Sequence, residues 1–212
     1  MKKQPQTQQP QQAVEKSIKV EISPKDLRIL KAGEFKLCFA KKVGNNNFNV
    51  VWQSYSRYLE INTLSWSPKY EVFCTLSHKY YTPVVINSNS ISPEPGYIIV
   101  INSAGILELV PSDNPSDGIV VKNEFRPVYI GLSQFSSGID GQLQATPIYL
   151  SPQVPTYSAI LLNPIEKVLV WFEQGSQTST LFSGPVTNAI EVDLTNTNQI
   201  TLSFANERWS TK

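Results

Sequence analysis

The chain is poor in the residues that carry most enzymatic and metal chemistry. Of its 212 residues one is histidine and two are cysteine. A zinc site draws on four such ligands and finds too few here. His78 follows Ser77, and neighbours on a strand point to opposite faces, so they form no catalytic dyad. No glycine-rich loop leads into a helix as a phosphate cradle does. Asp113 and Asp117-Gly118 flank a proline-containing loop, but calcium-loop spacing is absent and turn chemistry accounts for the Asp-Gly pair. Glu60, Glu71, Asp140 and Glu173 are the carboxylates a glycosidase could pair, and only the fold sets their separation. The expectation is a non-enzymatic protein without cofactor or metal.

Charge is also scarce. Charged residues make up 17% of the chain and the net charge is +1, against roughly 25% charged residues in an average domain. No basic cluster exceeds the pairs Lys2-Lys3 and Lys41-Lys42, so a nucleic-acid partner is not expected. No apolar run approaches the roughly 20 residues of a membrane-spanning helix. No apolar leader follows Met1-Lys2-Lys3, and the one Asn-X-Ser/Thr match, at Asn114, has Pro at X. A cytoplasmic location with free thiols at Cys38 and Cys74 is therefore expected, with release by another route open. Two cysteines are too few for a disulfide framework, though a single Cys38–Cys74 bridge stays open.

What the chain does have is period-2 alternation. Ile18, Val20 and Ile22 alternate with Lys19 and Glu21, a half-buried strand. Ser23-Pro24-Lys25-Asp26 reads as a helix start and Gly33 as its stop. Leu27 and Leu30 share a face of this short helix near residues 24–32, and Ile29 points elsewhere. Phe35 to Phe39 and Phe48 to Trp52 form a hairpin around Gly44-Asn45-Asn46-Asn47. Further strands are expected at Tyr70–Leu76, Pro83–Ile86, Tyr97–Ile101, Ile106–Val110, Val128–Leu132, Ile148–Leu150, Tyr157–Leu162, Val168–Phe172, Ile190–Leu194 and Ile200–Phe204. Tyr97–Ile101 is apolar on both faces and should be central. The fold class is thus all-β, an antiparallel β-sandwich with one short helix.

The domain reading has three parts. Residues 1–17 are a low-complexity Gln/Pro tail, expected to stay disordered or to reach a neighbouring subunit. Residues 18–110 form a first β half and 119–212 a second, separated by the Pro111–Gly118 loop. Tyr70–Leu107 and Lys167–Phe204 share an order of strands and turns, which raises an internal pseudo-repeat of two similar packed halves.

Aromatic residues crowd the stretch from Phe35 to Tyr81. Phe35, Phe39, Trp52 and Phe73 read as core. Tyr55, Tyr58, Trp66, Tyr80 and Tyr81 lie among Ser, Arg, Asn and Lys in loop-like sequence and are the candidate ligand-binding residues. Rings in a neutral polar setting suit a glycan or cell-surface ligand, with Asn and Gln bonding to hydroxyls. The first functional expectation is accordingly a recognition protein of lectin-like, carbohydrate-binding character. A second is a self-assembling structural subunit (coat, fibre or appendage) with an N-terminal arm and copies of itself as partners, a homo-oligomer. A third is a membrane-active pore-forming toxin, inserting Pro24–Leu30 or an alternating hairpin. In kind, an aromatic-rich loop region on a β-sandwich resembles the fungal fruit-body lectins and the pore-forming cytolysins of similar shape. No motif matches residue by residue, and no residue role follows from the likeness.

Overall fold

The computed structural model describes residues 14–45, 47–114 and 116–212. The tail expected over residues 1–17 lies outside them as far as Ala13, whereas Lys16 and Ser17 already belong to the first strand.

The chain opens with β1 (Lys16–Ile22), α1 (Pro24–Ala32), β2 (Lys36–Val43), β3 (Gln53–Tyr55) and a long β4 (Ile61–Thr75). β5 (Tyr97–Ile101), β6 (Leu107–Pro111), β7 (Ile119–Asn123), β8 (Val128–Ser137) and β9 (Leu143–Val154) follow. It closes with β10 (Ser158–Leu162), β11 (Pro164–Glu173), β12 (Ala189–Asp193), β13 (Gln199–Ala205) and β14 (Arg208–Thr211). The strands form a six-stranded sheet, β14-β13-β1-β4-β8-β9, and two four-stranded sheets, β10-β7-β5-β6 and β12-β11-β2-β3. The all-β, sandwich-like class is as the alternation predicts, and the one helix among the described residues is short, as its start and stop signals predict. β5 is internal to its sheet, as its two apolar faces require. Two pairings are parallel, β1 with β13 and β5 with β7; the others between named strands are antiparallel.

All three sheets feed one apolar core. The six-stranded sheet contributes Ile18, Val20, Leu64, Trp66, Val72, Ile130 and Leu202, and the smaller sheets add Leu37, Phe39, Val170, Ile99, Ile101 and Val121. The opposite face of the large sheet carries Phe73 and Leu150, covered by Val50 and Leu181. Gly131 lies across from Phe73 in the ladder, and a Cβ there would come within 2.1 Å of the Phe73 ring. The ring thus packs directly on backbone, as aromatic residues do over a strand glycine. Cys38 and Cys74 are both free and buried. Cys38 joins Ala40, Val51 and Trp171 in a separate cluster, and Cys74 sits in the main core.

Several local expectations shift. The hairpin after β2 turns at Gly44 (φ 59°), but its return strand is Gln53–Tyr55, paired with Leu37–Phe39. Phe48–Trp52 instead crosses to Leu181, through a bridge at Val50. Pro83–Ile86 forms no strand, and Val85 and Ile86 are exposed. Each of the three sheets takes strands from both 18–110 and 119–212. The two segments read as a pseudo-repeat also pair differently: β5 pairs with β6, whereas β12 pairs with β11 and β13 with β1 and β14.

α1 is tied down at its start. Ser23 caps it by accepting the Asp26 N–H at 3.1 Å, with Pro in the first turn. Leu30 is buried and Ile29 exposed, as their spacing predicts. Gly33 stops the helix, but not through a left-handed conformation: its φ is −88°, and Glu34 takes the positive φ of 55°. The glycine is needed because a Cβ would lie 2.7 Å from the Phe35 ring. Asp26 is buried and accepts the N–H groups of Asn206 (2.8 Å) and Glu207 (3.2 Å). Those two residues, both at positive φ, make the tight β13–β14 turn. This carboxylate therefore joins the first helix to the last hairpin. The Ser23 hydroxyl and then the two turn N–H groups hold its pKa below the ordinary value, against the opposing effect of burial.

Asp26→Ala should cost about 2 kcal/mol, the value of charge-assisted hydrogen bonds left without their acceptor. A carboxyl whose folded pKa is depressed contributes stability above its unfolded pKa, and that stability is lost as pH falls through the folded value. Urea midpoints should therefore drop more steeply for wild type than for Asp26→Ala as pH is lowered below about 4.

Candidate functional site

The five tyrosine and tryptophan candidates separate into two groups. Tyr58 and Trp66 are 1% and 2% exposed, so neither presents a ring to a ligand, contrary to the sequence expectation. The reason is that Ile61–Trp66 is strand, not loop: Asn62, Leu64 and Trp66 alternate inward while Ile61, Thr63 and Ser65 point away. Tyr58 donates its hydroxyl to the Phe35 carbonyl at 2.9 Å, under the Lys31 ammonium at 3.8 Å from its ring. Tyr55 is half-buried at the end of β3, edge-on to Phe39, with its hydroxyl packed against Gly138. Burial, and secondarily the Asp140 carboxylate, push its pKa up.

Tyr80 and Tyr81 are exposed, at 48% and 72%, with ring centroids 6.5 Å apart. They stand on the segment after β4, held by the Tyr81 N–H to the Leu181 carbonyl at 2.7 Å. Tyr81 has φ 62°. A bulky side chain in the left-handed region is strained by roughly 1 kcal/mol or more, and such strain gathers at functional positions. His78, absent from the sequence candidates, packs against Tyr80. Its ring packs edge-on to Tyr129 at 4.4 Å and to Tyr80 at 5.5 Å.

The two tyrosines border two adjacent grooves that share the Phe182–Val186 loop as a common wall. The groove beside Tyr80 holds about 570 Å³ and is lined also by Asn47, Phe48, Asn49, Lys42 and Glu191. The one beside Tyr81 holds about 250 Å³, with Trp171, Glu173, Ser176, Thr180 and Thr187. The polar walls are pre-set. Asn49 donates to the Leu150 carbonyl at 2.6 Å, and Glu173 accepts from Trp171 Nε1 at 3.1 Å and from Ser176 at 2.6 Å. The floor is apolar because the outward face of β2 and β11 buries Cys38, Ala40 and Trp171 beneath Phe48, Phe182 and Val186. Sequence reasoning missed this loop. Its one signal, Gly184-Pro185, marks a turn without saying where the turn folds back.

A third recess, of about 490 Å³, lies where β4 and β11 both depart from regular register, between Trp66 and Tyr70 and between Pro164 and Val168. Bulges of this kind re-aim side chains. Here they direct Glu166 into the recess wall, where it meets the buried Lys41 ammonium at 2.6 Å and accepts from Trp66 Nε1 at 3.0 Å. Burial lowers the Lys41 pKa to about 8, although the Glu166 carboxylate acts to raise it.

Among the described residues no cluster of three or more His, Cys, Asp or Glu could hold a metal ion. No helix among them is long and apolar enough to cross a membrane. No protein-family model matches the chain, and neither a curated protein nor a solved structure is significantly similar to it.

Removing one partner of a buried ion pair strands the other charge, so Glu166→Gln should lose about 3 kcal/mol of stability in chemical denaturation. Removing both charges, Lys41→Met with Glu166→Gln, should recover most of that loss, because neither charge is then desolvated and the introduced amide oxygen can still accept from Trp66 Nε1.

Proposed function

We propose that this is a non-enzymatic recognition protein that binds neutral glycans across the Tyr80–Tyr81 face. The observation that carries the reading is Tyr81. The chain holds this residue in a strained backbone conformation and leaves its ring in solvent, where it contributes little to the core. Sugar rings present flat C–H faces that stack on tyrosine, and their hydroxyls pair with amide and hydroxyl side chains of the kind found at Asn47, Ser183 and Thr187. The two grooves give room for one ring on each side of the Phe182–Val186 wall. His78, itself packed on Tyr129, holds the Tyr80 ring, so little ordering entropy is lost on binding.

A glycan array probed with the wild-type protein should give hits that weaken about ten-fold in Tyr80→Ala, from the loss of one stacking contact. Tyr81→Gly separates function from fold. It should raise thermal stability slightly, relieving about 1 kcal/mol of backbone strain, while weakening the same glycans. An array without hits, or hits that neither substitution changes, would rule this reading out.

A further inference from the structure

Among the described residues the three sheets end in the edge strands β14 and β9, β10 and β6, and β12 and β3. An edge strand offers backbone N–H and C=O groups to any other strand, and proteins guard such edges with charge, proline or brevity. All but one of these edges are guarded in this way. β14 carries Arg208, β6 Glu108 and β12 Glu191, while β9 has Pro147 and Pro152 and β3 is only three residues long. β10 is the exception. Its sequence, SAILL from Ser158 to Leu162, holds no charge and no proline.

The strand also presents apolar surface. Ile160 packs on the core, with Val121 of β7 beside it. Ala159 and Leu161 therefore face outward, and both are exposed, Leu161 at 58%. Across the same outer face Leu161 is continued by the half-buried Val120, Ile98 and Val110.

Such a strand is complementary to itself. Two copies of β10 set antiparallel about a two-fold axis at Ile160 bring Ile160 beside Ile160, and Ala159 of each copy beside Leu161 of the other. No like charges meet, and Leu161 is covered on the side away from Val120. Pro155 and Pro164 stand beyond the two ends and hold the pairing to β10 itself. A two-fold pairing satisfies both edges at once and closes, so it does not propagate.

We propose that β10 is a dimerisation edge that joins the four-stranded sheets of two copies of this chain, strand to strand. The pairing shares no residue with the Tyr80–Tyr81 grooves and does not depend on the glycan reading.

Sedimentation velocity of the full-length chain should show monomer giving way to dimer as concentration rises. A pairing this short buries less than the roughly 1,200 Å² of a standard interface, so a dissociation constant on the order of 10 μM is expected. Ala159→Glu with Leu161→Glu sets like charges opposite one another across the axis and should weaken the dimer about ten-fold. Ala159→Glu with Leu161→Lys sets opposite charges there and should restore it. Both positions are exposed, so neither variant disturbs the core. Mild oxidation should join Ile160→Cys into a covalent dimer, because residues paired on the axis lie within disulfide reach. Tyr157→Cys, exposed and outside the strand, should stay monomeric, and the native Cys38 and Cys74 are buried. A monomer even at millimolar concentration, equal weakening by the two charged variants, or crosslinking at 157 as readily as at 160 would each overturn the proposal.

Discussion

One carboxylate bridges two of the three sheets. Glu166 comes from β11, its cation Lys41 from β2 and its indole donor Trp66 from β4. The first two belong to a four-stranded sheet and the third to the six-stranded one. A charged ammonium that is fully enclosed has no stable alternative to this partner, so the relative placement of the two sheets is restricted to what keeps Glu166 within reach. A short charge-assisted bond adds a directional constraint to that of the packed core. The Lys41 ammonium also lies 4.7 Å from the Trp66 ring centroid and 5.8 Å from that of Trp52, while those rings meet edge-on at 5.4 Å. Much of the aromatic weight of the interior is thus organised around a single buried cation.

The same arrangement explains where the surface recesses lie. Directing Glu166 inward requires β11 to break register, and β4 breaks register beside it. The recess opens beside these two irregularities, and the segments around β5 and β7 supply most of its remaining wall. On the far side of β2 and β11 the constraint is different. There the outer face is too apolar to stay wet, and the Phe48–Val51 and Thr180–Val186 segments fold over it. Folding over it brings their polar residues together beside Tyr80 and Tyr81.

How much of this could be read in the sequence depended on whether neighbouring residues or distant ones set the outcome. Ser23 with Pro24, Gly33, and the alternation through Ile18–Ile22, Val168–Phe172 and Ile200–Phe204 are local signals, and they placed α1, β1, β11 and β13 correctly. The run Ile61–Trp66 was misread because Asn62 occupies an inward position that the pattern reserves for an apolar side chain. It is buried because its amide completes the turn at Leu59, with bonds of 2.7 Å to that residue's N–H and carbonyl. An inward asparagine satisfied by its own turn leaves no trace in hydropathy. β14 was missed for the complementary reason: its four residues are held by the β13 ladder, and the turn before them by Asp26, which lies about 180 positions earlier. The exposure of Tyr80 and Tyr81 was legible. The groove walls were not, because Phe182–Val186 meets them only through long-range folding.

β1 has one further consequence, for the order of events during synthesis. It precedes every other strand described, and one of its two edges pairs with β4, some 45 residues on. The other edge pairs in parallel with Gln199–Phe204. Until those residues have emerged, Ile18, Val20 and Ile22 belong to a sheet with an open margin, able to take up a strand from any nascent neighbour. Completion of the large sheet therefore waits for Gln199–Phe204. A ribosome that stalls anywhere between β4 and β13 would hold out an unpaired, aggregation-prone edge.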